Sequence, residues 1–557
     1  MVVADYIAEF LVAKGVRYVF GFQGSAMLKI LDSIVSTERI EYIQGFHEQA
    51  SAFAADAYAR VAGMPGVAIA TSGPGASNLI SGIANAYYDS VPVLFITGQD
   101  YLSHVRDVGA ARQNGFQDMD VVPMVKRITK YAVRVDDCDG LPDILACAWE
   151  IATSGRKGPV LVDIPIDVQF AEMSNNIPRN VDHNKTFRNV PHGEISSEIV
   201  DSIVNAFNDS KRPVVLVGGG VRESYATVAC RHFIEKTRFP VVSTLMGLDI
   251  VGSSLGFSGL YGNTVANLAL LNADLILALG VRFSFKQIGR SKAAYAPKAK
   301  VIQVEVDKAE RDRTFMKADV WVEADLNSFF KSVENVNFNC VEEDWLNRLH
   351  LWMDEYGDSS IFRGDRTDPV AFVREVQKAL SGRAVIVADV GANQMWTAQG
   401  FVASDDVRLI NSSNFGAMGY ALPAAIGASY ATQDIVVAMT GDGGLQMNIQ
   451  ELNTLNIRRN NVKVVVFNNG VLGLMREVQL KYYSGRFHGN SENEFSCPDL
   501  KKLADVYNLR YVSVSQDNDV EQALIAIAQE GPCIIDFKVS SDAKILNRYN
   551  DRALMNV

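Results

Sequence analysis

Residues 435–473 have the sequence IVVAMTGDGGLQMNIQELNTLNIRRNNVKVVVFNNGVLG, and this stretch decides the fold of the chain. The short β-branched run Ile435–Met439 predicts a buried parallel strand. A glycine-rich turn is expected after it, and 447–457 has the apolar spacing of a helix. A second buried strand is predicted at 462–467. The stretch is therefore a strand–loop–helix–strand unit in which both strands end in polar side chains.

The polar residues at these two strand ends suit a phosphate and a divalent metal. In open α/β sheets, ligands bind at the carboxyl edge of the strands, where Asp442 and Asn469 are placed. Their side-chain oxygens are hard donors of the kind that Mg²⁺ takes. The backbone N–H groups of Gly441, Gly443 and Gly444 can approach a phosphate closely, and a helix N-terminus favours an anion. A capped surface turn is the simpler interpretation of the glycine motif alone, and the asparagine pair favours the metal site.

The composition limits the classes of function to consider. At 557 residues, the chain is long enough for about three domains. Its apolar fraction of 48% and charged fraction of 21% are typical of a soluble globular protein. A net charge of −11 without a long basic run argues against nucleic acid and anionic membranes as partners. The six cysteines form no CxxC pair, no apolar stretch reaches membrane-spanning length, and the N-terminus is too charged for a signal peptide, so a cytoplasmic location is expected.

Strand-like and helical patterns alternate in three series along the chain. This alternation predicts an α/β protein with three doubly wound parallel-sheet domains, the middle one Rossmann-like. The predicted domains are residues 1–168, 190–340 and 367–557. A polar stretch without periodicity separates the first two, and a charged, tryptophan-containing helical connector separates the last two.

An acid in the first domain is the second candidate for chemistry. Glu48 directly follows a predicted strand and precedes an alanine-rich helix predicted at 50–62. The common interpretation is a glutamate that interacts with the helix dipole. The functional interpretation is a buried carboxylic acid that faces a cofactor.

The whole chain resembles the acetohydroxyacid (acetolactate) synthases, a family of enzymes that use thiamine diphosphate (ThDP). The resemblance extends over nearly the full length and all three domains. The stretches that carry it are VFGFQGSAML, HEQASAFAADAYAR, TSGPGASNLISGIANAYYDSVPV, GFQDMD, STLMGL, LALGVRF, DVGANQMW, NFGAMGYALPAAIGA and GDGGLQMNIQEL.

The resemblance implies a set of cofactor roles. Glu48 would activate ThDP, while Asp442, Asn469 and the backbone carbonyl of Val471 would hold Mg²⁺. Met418 would support the bent conformation of ThDP, although a gap-filling core methionine is the alternative. The further cofactor-binding residues implied are Gly24, Ser25, Pro74, Asn78, Ala392, Asn393, Gly416, Gly441, Gly443, Gly444, Gly473 and Leu474.

The resemblance also implies FAD in the central domain, where it is largely a structural requirement because the net reaction is not a redox reaction. A glycine triple after a strand is by itself a weak sign of a dinucleotide, and an arginine at a strand end suits phosphate oxygens. The implied FAD residues are Gly218, Gly219, Gly220, Gly280, Arg282, Glu305 and Asp325. The synthases continue GVRF with Asp-Asp-Arg, whereas this chain has Ser284, Phe285 and Lys286. Related ThDP enzymes bind ADP or nothing in this domain, so those alternatives stay open.

The chain departs from the family mainly on the side of the acceptor substrate. The implied substrate pocket consists of Phe116, Gln117, Lys130, Met395 and Val478. Val478 stands where the synthases carry a tryptophan that narrows the pocket, which leaves space for a larger acceptor or lets another segment fill it. A solvated lysine is the alternative for Lys130. The usual Tyr-Pro-Gly-Gly is replaced by residues 22–25, and the chain ends soon after Asn547 and Arg548, which is short for the family.

The expected activity is ThDP- and Mg²⁺-dependent decarboxylation of pyruvate, with transfer of the acetyl unit to a carbonyl acceptor. The acceptor is a second pyruvate or a larger ketone such as a nucleotide-linked keto-sugar. Simple 2-keto acid decarboxylase or lyase chemistry is the next alternative. A silent homologue is weaker because Glu48, the Gly-Asp-Gly motif and the asparagine pair are all intact, and an FAD or NAD oxidoreductase is weaker because no GxGxxG with a following ribose-binding acid occurs in the right context. A homodimer or tetramer is expected, because Glu48 and Asp442 approach ThDP from opposite ends in this family. The need for a regulatory subunit stays open.

Overall fold

The structure is a computed structural model of the chain. It describes residues 1–106, 111–174, 195–289, 295–312, 316–356, 362–363, 366–380, 382–491 and 493–545. The strands described form three six-stranded sheets and one two-stranded ribbon. Every pairing within the six-stranded sheets is parallel. Each sheet lies between two hydrophobic cores, one on each face, which confirms the predicted α/β fold class.

The first sheet is built from the N-terminal third of the chain. Its strands are β1 (Tyr18–Phe22), β2 (Glu41–Gln44), β3 (Gly66–Ala70), β4 (Val93–Gln99), β5 (Tyr131–Arg134) and β6 (Val160–Pro165), in the order β2-β1-β3-β4-β6-β5. The helices are α1 (Val3–Ala13), α2 (Leu28–Ser36), α3 (Glu48–Ala62), α4 (Pro74–Asn78), α5 (Ile80–Asp89), α6 (Leu102–Arg106), α7 (Val121–Val125), α8 (Leu141–Thr153) and α9 (Ile166–Phe170). β3, β4 and β6 are buried throughout, as expected for central parallel strands covered on both faces.

The central sheet has the order β12-β11-β10-β7-β8-β9. Its strands are β7 (Pro213–Val217), β8 (Val241–Ser243), β9 (Ser254–Phe257), β10 (Leu275–Leu279), β11 (Lys300–Glu305) and β12 (Val320–Glu323). The helices are α10 (Ser197–Asp209), α11 (Gly220–Glu223), α12 (Thr227–Thr237), α13 (Thr264–Asn272), α14 (Phe285–Ile288) and α15 (Leu326–Val333). Most of the polar stretch predicted before this sheet lies outside the described residues.

A connector leads from the central sheet to the third one. It contains α16 (Glu343–Tyr356), as the tryptophan-containing pattern predicts, and the antiparallel ribbon of β13 (Phe362–Arg363) and β14 (Arg366–Thr367). Trp345 and Trp352 are buried in a core of the central sheet. The connector is therefore packed onto the central domain.

The third sheet has the order β16-β15-β17-β18-β20-β19. Its strands are β15 (Ala384–Ala388), β16 (Val407–Asn411), β17 (Ile435–Gly441), β18 (Val462–Asn468), β19 (Arg510–Val514) and β20 (Cys533–Lys538). The helices are α17 (Pro369–Ala379), α18 (Ala392–Gly400), α19 (Ala421–Ser429), α20 (Asp442–Met447), α21 (Leu452–Arg458), α22 (Gly473–Tyr482), α23 (Leu500–Val506) and α24 (Asp517–Ala528). The C-terminal residues Asn547 and Arg548 lie outside the described part.

The stretch 435–473 forms the predicted unit, but its helix begins earlier than predicted. β17 and β18 are parallel neighbours, and α20 begins at Asp442 itself. Gly441 is the last residue of β17, and Gly443 and Gly444 lie inside the helix, where a Cβ at Gly444 would be 2.9 Å from Cγ of Asp389. They allow a close approach there instead of a turn. The helix is interrupted at Asn448 and continues as α21.

The first and third sheets are joined by a close helix crossing. α3 packs against α19, and a Cβ at Gly427 of α19 would lie 2.0 Å from the carbonyl oxygen of Ala54 in α3. Phe53 and Ala57 share one core with α19 and with strands of the third sheet. The helix that begins with Glu48 is therefore fixed by the third domain as well as the first.

The structure also bears on the cysteines and on membrane segments. All six cysteines, each within the described ranges, are free thiols. Among the helices in the described ranges, none has the length and apolar character needed to cross a membrane.

Candidate active site

The first half of the site lies at the carboxyl edge of the first sheet, around Glu48. α3 begins there, after an extended N-cap residue, His47, whose ring nitrogen accepts from the backbone N–H of Gln49. The Glu48 side chain is 7% exposed, and its Oε2 accepts a 2.9 Å hydrogen bond from Nδ2 of Asn78. The acid is thus buried and oriented by one amide, and its Oε1 remains for a further partner.

Glycines keep the neighbouring loops close to this acid. A Cβ at Gly24 would lie 2.5 Å from the side chain of Thr71. A Cβ at Gly75 would lie 2.8 Å from Thr71 and 3.2 Å from Oε1 of Glu48. The loops after β1 and β3 can therefore meet at Glu48 only because these positions lack side chains. The predicted residues on these loops are Gly24, Ser25, Pro74 and Asn78.

The second half of the site lies at the carboxyl edge of the third sheet. Asp442 is 2% exposed, and burial raises its pKa to about 6. Its Oδ1 accepts from the backbone N–H of Gly443 at 2.8 Å, and its Oδ2 accepts from that of Gly470 at 2.7 Å. The second bond ties the acid to the turn that carries Asn469, whose Oδ1 accepts from the backbone N–H of Val471 at 3.3 Å. The structure thus brings together the three predicted metal ligands.

The segment around Gly443 forms a tight cradle beside these ligands. A Cβ at Gly443 would lie 2.6 Å from Cδ2 of Leu472 and 3.1 Å from Cε of Met418. A Cβ at Gly473 would lie 2.9 Å from Nδ2 of Asn469. Met418 therefore lies next to the start of the glycine-containing helix α20. The other predicted residues on these segments are Ala392, Asn393, Gly416, Gly441, Gly444 and Leu474.

One acid that the sequence analysis did not single out organises this half-site. Asp389 is buried at the end of β15, and burial raises its pKa to about 6. Its Oδ1 accepts from the backbone N–H groups of Val390 and Gly419, both at 2.8 Å. Its Oδ2 accepts from the backbone N–H of Ala421 at 2.9 Å and from Oγ1 of Thr440 at 3.3 Å. Asp389 therefore fixes the end of the segment that carries Met418. Its position directly after the predicted strand at 385–388 was the sequence feature that could have identified it as a site residue.

A cavity of about 490 Å³ lies between the three domains. This volume is within the usual range for a small-molecule site. Six of the seven residues implied for FAD line it, namely Gly219, Gly220, Gly280, Arg282, Glu305 and Asp325. Gly218 is not among the residues that line the cavity. It packs against Gly280, where a Cβ on Gly218 would be 2.1 Å from the carbonyl oxygen of Gly280. Met395 and Leu474 of the third domain also line the cavity, so the central site and the predicted substrate side share one space.

Two predicted pocket residues lie on the loop before α7. Phe116 is 78% exposed, and its backbone N–H donates to Oδ2 of Asp100 at 3.1 Å. Gln117 has a left-handed φ of 60° and packs against Gly73, where a Cβ would lie 2.8 Å from Cβ of Gln117. Gln117 is therefore near the loop of the Glu48 half-site, and Phe116 extends from the surface.

Lys130 and Val478, the remaining predicted pocket residues, have different surroundings. Nζ of Lys130 donates to the carbonyl oxygens of Ile151 and Ser154, and burial lowers the pKa of Lys130 to about 8. This lysine is neither solvated nor among the residues that line the cavity; it holds the end of α8. Val478 lies half-buried on α22, a helix that has no fully buried residue.

The two half-sites belong to one chain but are not bonded to each other within it. Among the described residues, no hydrogen bond or ion pair joins Glu48 or Asn78 to Asp442 or Asn469. The links close to Glu48 are a 2.8 Å hydrogen bond from the backbone N–H of Phe46 to the buried Glu451 and a 3.5 Å one from Nδ2 of Asn448 to Oε1 of Gln49. The acids and amides of the two half-sites are thus joined only indirectly in the part of the chain that the structure describes.

Comparison with protein families gives three matches along the chain. Residues 1–124 match the N-terminal TPP binding domain of thiamine pyrophosphate enzymes. Residues 200–333 match the central domain of these enzymes, and residues 389–537 match their C-terminal TPP binding domain. The matched ranges contain both half-sites and most of the residues that line the cavity.

Curated proteins with similar sequences cover almost the whole chain. The acetolactate synthase large subunit of Lactococcus lactis subsp. lactis (strain IL1403) is 34% identical, over 98% of this chain and 93% of its own length. The acetolactate synthase isozyme 2 large subunit of Escherichia coli (strain K12) is 34% identical, over 96% of this chain and 94% of its own. The chloroplastic acetolactate synthase of Arabidopsis thaliana is 34% identical, over 96% and 80% respectively.

Proposed function

The chain belongs to the acetolactate synthase family of thiamine pyrophosphate enzymes, and we propose that it decarboxylates pyruvate and transfers the acetyl unit to a carbonyl acceptor. The observation that carries this proposal is that both half-sites are intact. A buried acid, Glu48, is oriented by Asn78, and Asp442 is bonded to the turn that carries Asn469. These are the positions at which the family resemblance implies cofactor activation and metal binding.

The residues present fit ThDP and Mg²⁺. The carboxylate of Asp442, the side-chain oxygen of Asn469 and the carbonyl of Val471 are all hard oxygen donors. Gly443 lies in the first turn of α20, and a helix N-terminus favours a phosphate; Leu472 and Met418 pack so closely there that no Cβ fits at this position. When bound, ThDP supplies the electron sink that decarboxylation of a 2-keto acid needs.

The chain's own contribution to the chemistry is the placement of a proton. Asn78 donates to Oε2 of Glu48, so we assign Oε1 as the atom that holds a proton towards the cofactor. Burial of this carboxyl keeps competing water away from the proton. Met418, beside Gly443, fills the space under the cofactor site and orients what binds there.

We also propose FAD as the ligand of the central cavity. The cavity volume, the glycines on its wall and the guanidinium of Arg282 support this assignment. The acid at the end of β11, Glu305, has a pKa raised to about 7 by burial, which suits a hydrogen bond to a ligand hydroxyl. The absorption spectrum of the purified protein and mass spectrometry of the released nucleotide test this. Released ADP, or no nucleotide, would contradict it.

For the acceptor, we propose a 2-keto acid, with pyruvate giving 2-acetolactate. The experiment is incubation with ¹³C-labelled pyruvate, alone and with 2-ketobutyrate, diketones or nucleotide keto-sugars. Products are identified by mass spectrometry. Labelled 2-acetolactate or its 2-ketobutyrate counterpart is the expected product. Acetaldehyde as the only product would contradict transfer, and absence of CO₂ release would contradict the whole proposal.

Val478 tests the acceptor side separately. Val478→Trp adds an indole on α22, next to the helix turn whose Leu474 lines the cavity. We expect the ratio of product from a larger ketone to product from pyruvate to fall by about tenfold in direct competition, because lost space costs on the order of 1 kcal/mol or more. Val506→Trp, at an exposed position of α23, is the matched control. An unchanged ratio in both variants would rule out Val478 as an acceptor determinant.

We propose a homodimer as the smallest active assembly, with higher assemblies such as a tetramer formed from it. The support is that, among the described residues, no hydrogen bond or ion pair joins Glu48 or Asn78 to Asp442 or Asn469 within one chain. Two copies related by a twofold axis would place the Glu48 half of one beside the Asp442 half of the other.

A further inference from the structure

A buried carboxylate of the first domain holds a loop of the third domain. The loop, here called the cofactor loop, comprises residues 412–420 and carries Gly416 and Met418. Oδ2 of Asp89 accepts from the backbone N–H of Ser413 at 3.1 Å. Oδ1 of Asp89 accepts from the backbone N–H and from Nδ2 of Asn414, at 3.0 and 2.8 Å. Asp89, the last residue of α5, thus receives three bonds from a turn more than 300 residues away.

A buried charged network fixes Asp89 in turn. Nη2 of Arg60 donates to Oδ2 of Asp89 at 3.0 Å, and Nε of Arg60 donates to Oδ1 of Asp56 at 2.8 Å. The side chains of Asp56 and Asp89 are fully buried, and that of Arg60 is 5% exposed. The hydroxyl of Tyr420, the last residue of the cofactor loop, donates to Oδ1 of Asp56 at 2.6 Å. Two carboxylates of the first domain therefore hold the cofactor loop near both of its ends.

A neutral pair adds a third attachment. Oγ of Ser412 donates to Oδ1 of Asn85 at 2.6 Å and accepts from the backbone N–H of Ala417 at 2.8 Å. Both Asn85 and Ser412 are fully buried. The loop is therefore folded onto itself at the point where it is attached to α5.

These attachments go beyond what a stable interface requires. Burying two carboxylates and a guanidinium is costly, and well-packed apolar residues often stabilise as much or more. What a network of directed hydrogen bonds provides is one defined conformation of the segment it holds. The segment here places Met418 at 3.1 Å from the Cβ position of Gly443, at the start of the phosphate-side helix.

We propose that Asp89 is a positioning residue that holds the cofactor loop in the conformation that binds the cofactor. The proposal rests on the proposed function for the identity of that cofactor. Asp89 acts through the backbone of residues 413 and 414, and the structure places neither half-site's acid in contact with it. The prediction is therefore a loss of cofactor affinity that originates in the loop.

The test uses Asp89→Asn in the full-length protein, with two readouts. The first is amide hydrogen exchange of residues 412–420 without cofactor, which we expect to quicken by about tenfold or more because a carboxamide cannot accept all the donors there. The second is ThDP affinity, measured by calorimetry with Mg²⁺ and no substrate, which we expect to weaken by about tenfold. We expect kcat at saturating ThDP to fall less than this affinity.

Asp249→Asn is the matched control. Asp249 is also a buried carboxylate between domains, and it accepts from Arg222, from Nε of Arg408 and from the backbone N–H of Leu409. It does not contact the cofactor loop. We expect this variant to lower the melting temperature while leaving exchange in residues 412–420 and ThDP affinity unchanged. Asn414→Ala, which removes one of the three bonds to Asp89 together with the bond that Asn414 accepts from Nη2 of Arg282, is the second variant should Asp89→Asn fail to fold.

The outcomes separate clearly. If Asp89→Asn and Asn414→Ala lower stability but leave loop exchange and ThDP affinity as in the wild type, Asp89 is only a stabilising residue and the inference is wrong. If the wild-type protein does not bind ThDP, the proposed function fails. Hydrogen exchange of the cofactor loop would still decide whether Asp89 holds it.

Discussion

Glu48 and Asp442 are both buried carboxyl groups, and their neighbours suit them to different roles. Glu48 has one amide donor, from Asn78, so one of its oxygens stays available. Asp442 receives backbone N–H groups on both oxygens, which orients a carboxylate towards a cation. The hydrogen-bond donors around each carboxyl group therefore suit Glu48 to holding a proton and Asp442 to binding a metal.

Glu48→Gln tests the first role. We expect ThDP affinity to stay within about threefold of the wild type and kcat to fall by about 10²–10⁴-fold, because an amide keeps the shape but cannot hold the proton in the same way. Steady-state kinetics with pyruvate and calorimetric titration with ThDP measure the two effects. Glu41→Gln, at an exposed glutamate of the same domain, is the control. Wild-type turnover of Glu48→Gln would contradict the proton-holding role.

Asp163, on β6, gives the first domain a pH-dependent stability. It is fully buried, accepts from Oγ1 of Thr97 and Nε2 of Gln99, and burial raises its pKa from 3.8 to about 7. Between these two values the folded chain holds a proton that the unfolded chain has lost. Its contribution to stability is therefore full below about pH 4 and is lost as the pH rises through about 7.

Asp163→Asn removes that contribution, because asparagine does not ionise. We expect the melting temperature of the wild type minus that of the variant to be larger at pH 5.5 than at pH 8.0. The corresponding difference in the free energy of unfolding changes by up to about 1.4 kcal/mol per pH unit. Thermal scans of both proteins at the two pH values measure it. Asp32→Asn, on the surface of α2, should show the same difference at both pH values. A pH-independent difference for Asp163→Asn would contradict the assignment.

At the scale of residues, local sequence identified the acids and ligands but not their supports. Glu48, Asp442 and Asn469 each lie in a motif of a few residues at a strand end. Asp389 and Asp89 act on backbone N–H groups of another segment, in the case of Asp89 more than 300 positions away. No periodicity or spacing in one segment indicates such a pairing. Lys130 has a partner much nearer in the chain, because its Nζ donates to the carbonyl oxygen of Ser154 at the end of α8. Its motif alone does not indicate this contact either.

At the scale of elements, the buried central strands were predictable because they are short, continuous apolar runs, whereas β5 and β19 lie at sheet edges, carry polar residues and were not predicted. The break between α20 and α21 was not, since Nδ2 of Asn448 leaves the helix pattern to donate to the carbonyl oxygen of Gly419 in the cofactor loop. The early start of α20 has a similar cause. Gly444 is required by the contact with Asp389, which lies at the end of a different strand, and Gly443 by the contacts with Leu472 and Met418.

The crossing of α3 and α19 can be tested at Gly427. A Cβ there would lie 2.0 Å from the carbonyl oxygen of Ala54, so Gly427→Ala must separate the two helices. We expect a loss of about 1–3 kcal/mol, seen as a melting temperature lower by several degrees. Gly252→Ala, where a Cβ would meet its nearest atom only at 3.8 Å, is the control. Equal melting temperatures for the two variants would contradict the close crossing.

At the scale of the whole molecule, the proposed dimer predicts complementation between two inactive variants. In a mixed dimer of Glu48→Gln and Asp442→Ala, one site combines both substitutions and the other has neither. If each site uses Glu48 from one subunit and Asp442 from the other, random mixing should restore about a quarter of wild-type activity. Activity is measured after co-refolding or co-expression.

The control for this experiment is each variant mixed with itself, which should stay inactive. A mixture that stays inactive although co-purification of differently tagged copies shows mixed dimers would mean that each site is formed within one chain. That result would leave the proposed chemistry intact and would contradict only the proposed arrangement of subunits.

The crossing of α3 with α19 also has a consequence for how the chain is made. Phe53 and Ala57 reach their final core only when residues near 420–430 have left the ribosome, because their partners lie in the third domain. Until then the nascent first domain exposes an apolar helix face, which is the kind of surface that chaperones bind and that aggregates when unprotected. Translation of the last third of the chain therefore completes the folding of the first.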